Sequence, residues 1–169
     1  MKNIKSLLAV LSLVFVLVFA ASAQSVTLTS IDGQRIDVQG QKDKVVVLAI
    51  GASWLPLSNQ QAIFINKLAR KYANSDVVIY FVATDSTSAK SKNYASDDDV
   101  RKFASANKMN VTVLRDSDGA ATLKKYNLDQ LPSFVILDKN GKIAAEPYSG
   151  IDPKSDITIS ISQAIDKIR

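Results

Sequence analysis

The sequence predicts an α/β protein: a central mixed β-sheet flanked by helices on both faces, with a β-hairpin at its N-terminal side. Three observations predict it. Val45-Val46-Val47-Leu48-Ala49-Ile50 and Val77 to Ala83 are continuous apolar runs, as in strands buried on both faces. Between them Ala62, Ile65, Leu68, Ala69 and Tyr72 recur at helical spacing over about Ser58 to Tyr72. A strand, helix and strand in that order make a β–α–β unit with a right-handed crossover.

The remaining elements follow in order. Val26–Leu28 and Arg35–Val38 flank Asp32-Gly33 and read as the hairpin. Thr84 to Ser96 is polar and reads as a loop. Asp97-Asp98-Asp99 opens a helix to about Asn107 with Val100, Phe103 and Ala104 inward; the acidic residues complement the helix N-terminus rather than bind a cation. Val111–Leu114 is a short strand, and Asp118-Gly119 precedes a short helix through Leu123 and Tyr126. Ser133–Leu137 is a strand, Asp138-Lys139-Asn140-Gly141 a turn, and Lys142–Glu146 the return strand. Ile157, Ile161, Ile165 and Ile168 form one stripe of a terminal amphipathic helix. No internal repeat or linker interrupts residues 24–169, which read as one domain.

Residues 1–23 read as a secretory signal peptide. Met1-Lys2-Asn3-Ile4-Lys5 is basic, Leu7 to Ala20 is apolar apart from Ser12, and Ala21-Ser22-Ala23 is an A-x-A pattern placing cleavage before Gln24. The alternative is an uncleaved anchor. The expected location is periplasmic or secreted, with membrane contact only through this leader.

Two absences limit the chemistry. With no Cys, the chain has no disulfide, no thiolate nucleophile and no iron–sulfur cluster. With no His, it lacks the commonest general base and transition-metal ligand. A Ser-His-Asp triad, a Cys-His pair and a His-based zinc site are therefore impossible, and neither a cofactor nor a metal is expected. Asp116-Ser117-Asp118 begins like a calcium loop, but Ala121 stands where that loop needs Gly and Asn127 where it needs Glu. Net charge is +5, two of it from Lys2 and Lys5, with no Lys/Arg cluster that would suggest nucleic acid as a partner.

The stretch from Lys44 to Ser58, with Trp54-Leu55-Pro56-Leu57-Ser58 after a buried strand, resembles the active-site segment of the thioredoxin superfamily. It is most similar to the exported TlpA-like and redoxin (AhpC/TSA-like) branch. Gln130-Leu131-Pro132-Ser133 and the strand and turn after it resemble that family's cis-proline segment. Asp116 to Gly119 and Leu123 to Leu128 match the same branch, so the likeness covers Val26 to Arg169 and implies a thioredoxin-like fold. It places Leu55 at the first cysteine position and Ser58 at the second, while Ile50-Gly51 replaces an aromatic pair. The family's nucleophile is that first cysteine, and a leucine has no ionisable group. Ser58 has no His or Ser-x-x-Lys signature to activate it and reads as a residue that caps or begins the helix.

The resemblance leaves three functional readings. The leading one is a non-catalytic module that holds an extended peptide or an envelope protein at Trp54, Leu55, Pro56, Leu57, Leu131 and Pro132, by strand addition beside the proline. Against it, Leu55 and Leu57 could fold inward and staple the helix start. The second reading is a thiol–disulfide oxidoreductase or peroxidase, by family association. The third is a structural subunit or scaffold.

Overall fold

The computed structural model describes residues 25–169. The leader pattern of residues 1–23 lies outside them, and no helix among the described residues is long and apolar enough to cross a membrane. In chain order the strands are β1 (Thr27–Ser30), β2 (Arg35–Asp37), β3 (Val45–Gly51), β4 (Val77–Ala83), β5 (Thr112–Arg115), β6 (Ser133–Leu137) and β7 (Tyr148–Ser149). The helices are α1 (Leu57–Lys71), α2 (Asp97–Ala106) and α3 (Thr158–Asp166).

The strands form one sheet in the order β2-β1-β5-β4-β3-β6-β7. β3 pairs in parallel with β4, and β4 with β5; the other neighbours are antiparallel. The sheet is therefore mixed, as the sequence predicts. The uninterrupted apolar run of β3 has a direct cause in the packing. Val45, Val47 and Ala49 enter one core cluster with Phe64, Ile65 and Leu68 of α1, Val100 of α2, and Ile161 and Ile165 of α3. Val46, Leu48 and Ile50 enter the second, with Val26 and Leu28 of the hairpin and Tyr126. Successive side chains of a strand alternate faces, so a strand covered on both sides must be apolar throughout.

The hairpin forms in the register Leu28↔Ile36, with Gly33 at φ +85° in its turn. Ser30 Oγ accepts the N–H groups of Asp32 and Gln34, which fixes that turn. The acidic start of α2 builds a capping box: Ser96 Oγ accepts from Asp99 N, and Asp99 accepts from Ser96 N.

Two expected elements differ. The short helix through Leu123 and Tyr126 is instead a 3₁₀ turn at Ser117–Gly119 followed by successive turns, and these cover the second face of the sheet. Asp118 and Gly119 at φ +58° and +67° break helical geometry at the start, and Asn127 at +52° ends the run. The hydrogen bonds accordingly switch between three-, four- and five-residue closures, as in Ala120 N to Ser117 O, Leu123 N to Gly119 O, and Leu128 N to Leu123 O. Asp116 is what holds these turns, accepting from Ala121 N, Thr122 N and Thr122 Oγ1. The return strand Lys142–Glu146 reduces to a single bridge, Leu137↔Ile143. Its ladder makes Asp138 N to Lys142 O and Ala144 N to Ile136 O, then meets Pro147, which has no N–H to donate. Pairing with β6 resumes at Tyr148–Ser149.

The charged groups define a pH window. Lys139 holds the Asp76 carboxyl below its ordinary range, the Ser96 hydroxyl does so for Asp99, Lys67 for Asp156 and Lys71 for Asp166. Depressed carboxyl pKa values stabilise the fold above the unfolded value, and that contribution is lost as pH falls below about 4. Burial, then the charges of Asp37 and Asp116, push the Tyr126 phenol well up. The unfolded chain ionises it first, so stability falls as pH rises above about 10. The Tyr126 hydroxyl is buried with no hydrogen-bond partner among the described residues. Tyr126→Phe should therefore flatten the alkaline limb of a Tm-against-pH curve and leave stability at neutral pH equal or higher by up to about 1 kcal/mol. A clear loss at neutral pH would show that the hydroxyl has a stabilising partner.

Candidate functional site at the end of β3

The candidate tip is the turn between β3 and α1. Leu55 N donates to Ala52 O at 3.1 Å and Ser58 N to Leu55 O at 3.0 Å, so the chain turns once and enters the helix. Pro56 is the N-cap of α1 at φ −56°, a value the proline ring fixes, and no side chain caps the helix. Ser58 is inside the first turn, not at the cap, and is fully buried. Its hydroxyl accepts Ala52 N at 3.3 Å, which ties the helix back onto the end of β3.

The tip residues divide by exposure. Trp54 is 50% exposed and Leu57 37%, Pro56 is exposed and Leu55 is half-buried. Leu57 therefore does not fold inward as a staple. Leu131 is half-buried and packs on the second core cluster, while Pro132 is buried. The Leu131–Pro132 peptide bond is cis.

The sheet brings the two segments to one end. Ile50 pairs with Ser133, so Gly51 leaves β3 beside Pro132 as it enters β6. Gln61, fully buried on α1, clamps this junction: its Nε2 donates to Ile50 O at 3.2 Å and to Ser133 O at 3.0 Å. Ser133 Oγ bonds Gln130 O and the Ser149 hydroxyl, which brings β7 to the same place. Gln130 lies so close to Gly150 that a Cβ there would meet its Oε1 at 2.6 Å. Leu131 N–H and C=O make no hydrogen bond among the described residues. They are a free donor and acceptor at the end of the sheet that also carries the exposed indole of Trp54.

The tip is latched from a third element. Thr84 N and Oγ1 donate to Gly51 O at 2.8 and 3.0 Å. Ser53 N donates to both carboxylate oxygens of Asp85 at 3.0 Å, and Ser53 Oγ donates to Oδ1 at 2.5 Å. Sequence reading missed Gln61, Ser53, Thr84 and Asp85. Gln61 could have been found as a polar residue in the inward stripe of Ser58, Ala62 and Ile65. Thr84-Asp85 carry a weaker signal, as polar residues directly after a parallel strand, where open α/β sheets place their sites.

Chemically the site offers backbone groups, an aromatic face and aliphatic surface. Among the described residues no group of three or more His, Cys, Asp or Glu could hold a metal. Ser58 Oγ is enclosed, and among the described residues its one hydrogen-bond partner is Ala52 N, with no base placed to activate it.

Comparison with known proteins agrees with this architecture. The chain is 31% identical over 121 residues to the thioredoxin-like protein YneN of Bacillus subtilis, covering 72% of this chain and 66% of YneN. It is 25% identical over 124 residues to the thiol-disulfide oxidoreductase ResA of Bacillus thuringiensis subsp. konkukian, covering 73% and 66%. The chain thus matches about two thirds of the length of these relatives. Among solved structures, a thioredoxin-like protein from Aeropyrum pernix superposes with a TM-score of 0.68 at 20% identity, over 96% of this chain and 99% of that one. The family model for Redoxin matches residues 20–159. With a thioredoxin-like fold and no cysteine at either position of its tip, this chain belongs to the Redoxin family.

Proposed function

We propose that the chain is a non-catalytic Redoxin-family domain that binds an extended peptide or protein segment across Trp54–Leu57 and Leu131–Pro132, outside the cytoplasm. One observation carries the reading: an indole half-exposed to solvent stands at the same sheet end as the unpaired N–H and C=O of Leu131. Backbone groups that pair with an added strand supply affinity, and an aromatic anchor beside them supplies apolar burial. ResA is named for thiol–disulfide chemistry, but here no sulfur nucleophile exists to perform it. The leader-like residues 1–23 support the location.

Trp54 is the only tryptophan, so its fluorescence reports on the tip alone. Acetylated and amidated nonapeptides of alternating Leu and Ser serve as extended probes. Titration should shift the amide resonances of Trp54 and Leu131 together and saturably, and Trp54→Ala should weaken binding at least about tenfold. Saturable binding that leaves both resonances unmoved, or no binding at all, would refute the reading.

A further inference from the structure

Asp85 is a fully buried carboxylate with no ion pair among the described residues, and its side chain is held only by the N–H and O–H of Ser53. A buried polar group must find hydrogen-bond partners, and among the described residues Asp85 finds them in Ser53 alone. What the carboxylate does hold is the residue immediately before Trp54. Two residues earlier, Thr84 grips Gly51 O with two bonds. The segment 51–53 is thus fixed at both ends to the end of β4, and Trp54 is the first residue beyond the latch. The indole itself makes no hydrogen bond among the described residues, so its direction is inherited from Ser53.

We propose that Asp85 is the positioning residue of the tip: through Ser53 it holds Trp54 presented to solvent before any ligand arrives. Pre-ordering the anchor removes part of the entropy cost of binding, which is about 0.5–1.5 kcal/mol per immobilised side chain, or roughly 2- to 12-fold in affinity. The consequence for affinity rests on the peptide-binding reading above; the positioning itself does not.

Asp85→Asn separates positioning from simple fold support. The side chain keeps its shape, but an amide offers one acceptor oxygen where Ser53 presents two donors, and its NH₂ meets the donor left over. The lost bond should lower Tm modestly while the chain stays folded. The steady-state anisotropy of Trp54 should nevertheless fall, and affinity for the Leu/Ser nonapeptide should drop about 3- to 10-fold. Ser53→Ala, which loses the hydroxyl and keeps the N–H, should give a smaller change in the same direction. Thr84→Val, which removes one bond to Gly51 O and leaves Asp85 and Ser53 intact, should leave the anisotropy unchanged. If Asp85→Asn is folded with unchanged Trp54 anisotropy, the proposal is wrong. If Asp85→Asn does not fold, Ser53→Ala decides by the same readout. A wild-type chain that binds no nonapeptide overturns the function proposed above, while the ligand-free anisotropy still decides the role of Asp85.

Discussion

The double variant Leu55→Cys/Ser58→Cys is expected to close an internal disulfide under oxidising conditions and, with a small-molecule dithiol reducing that disulfide at each turnover, to reduce insulin at a rate at least about tenfold above a blank holding the dithiol alone. The turn geometry supports closure. Ser58 N bonds Leu55 O at 3.0 Å, a three-residue closure that places the two Cα atoms roughly 5–6 Å apart, within the range a disulfide spans. The electrostatics support reactivity. Position 58 lies in the first turn of α1, where the helix dipole favours a thiolate, and Ala52 N already donates to the side-chain oxygen there. Position 55 is half-buried and reachable from solvent. Mass spectrometry should show the oxidised double variant lighter by two hydrogens, and neither single variant should do so. A double variant that stays reduced under oxidising conditions would mean that the tip is not shaped as described.

Gly51→Ala should cost about 2–4 kcal/mol, lowering Tm by roughly 5–15 °C. A Cβ at this position would lie 2.3 Å from Gln61 Oε1, 3.0 Å from Ser58 Oγ and 3.3 Å from the Phe81 ring. The backbone at Gly51 is ordinary strand, so the requirement for glycine is space alone. The amide of Gln61 cannot retreat without releasing Ile50 O and Ser133 O, the two carbonyls that join β3 to β6 beneath the tip. Adding Gln61→Ala to Gly51→Ala should relieve the clash, so the double variant should cost less than the sum of the singles in a denaturant-unfolding cycle. Strict additivity would show that the two side chains do not compete for that space.

This clamp also shows why the sequence revealed the scaffold better than the site. β3, β4 and α1 were legible because two-sided burial forces an uninterrupted apolar run and one-sided burial forces a helical stripe. The fate of Lys142–Glu146 was not legible, because β-like composition does not show where Pro147 ends the ladder. The turns from Ser117 to Asn127 look helical by apolar spacing, but non-glycine residues at positive φ, Asp118 and Asn127, decide otherwise. At the tip, Trp54, Pro56 and Pro132 were found by pattern and lie at one end of the sheet. Asp85 and Gln61 were missed because their roles depend on contacts across 32 and 72 residues of sequence. Local spacing carries no trace of such pairings.

The proposed function stands on a chemical premise: leucine and serine at the tip of a Redoxin scaffold supply no sulfur nucleophile. The most direct measurement is insulin-disulfide reduction by the purified chain with a small-molecule dithiol, run against a protein-free blank. The account predicts that the two rates coincide at every protein concentration. A rate that rises in proportion to the amount of this chain would contradict it.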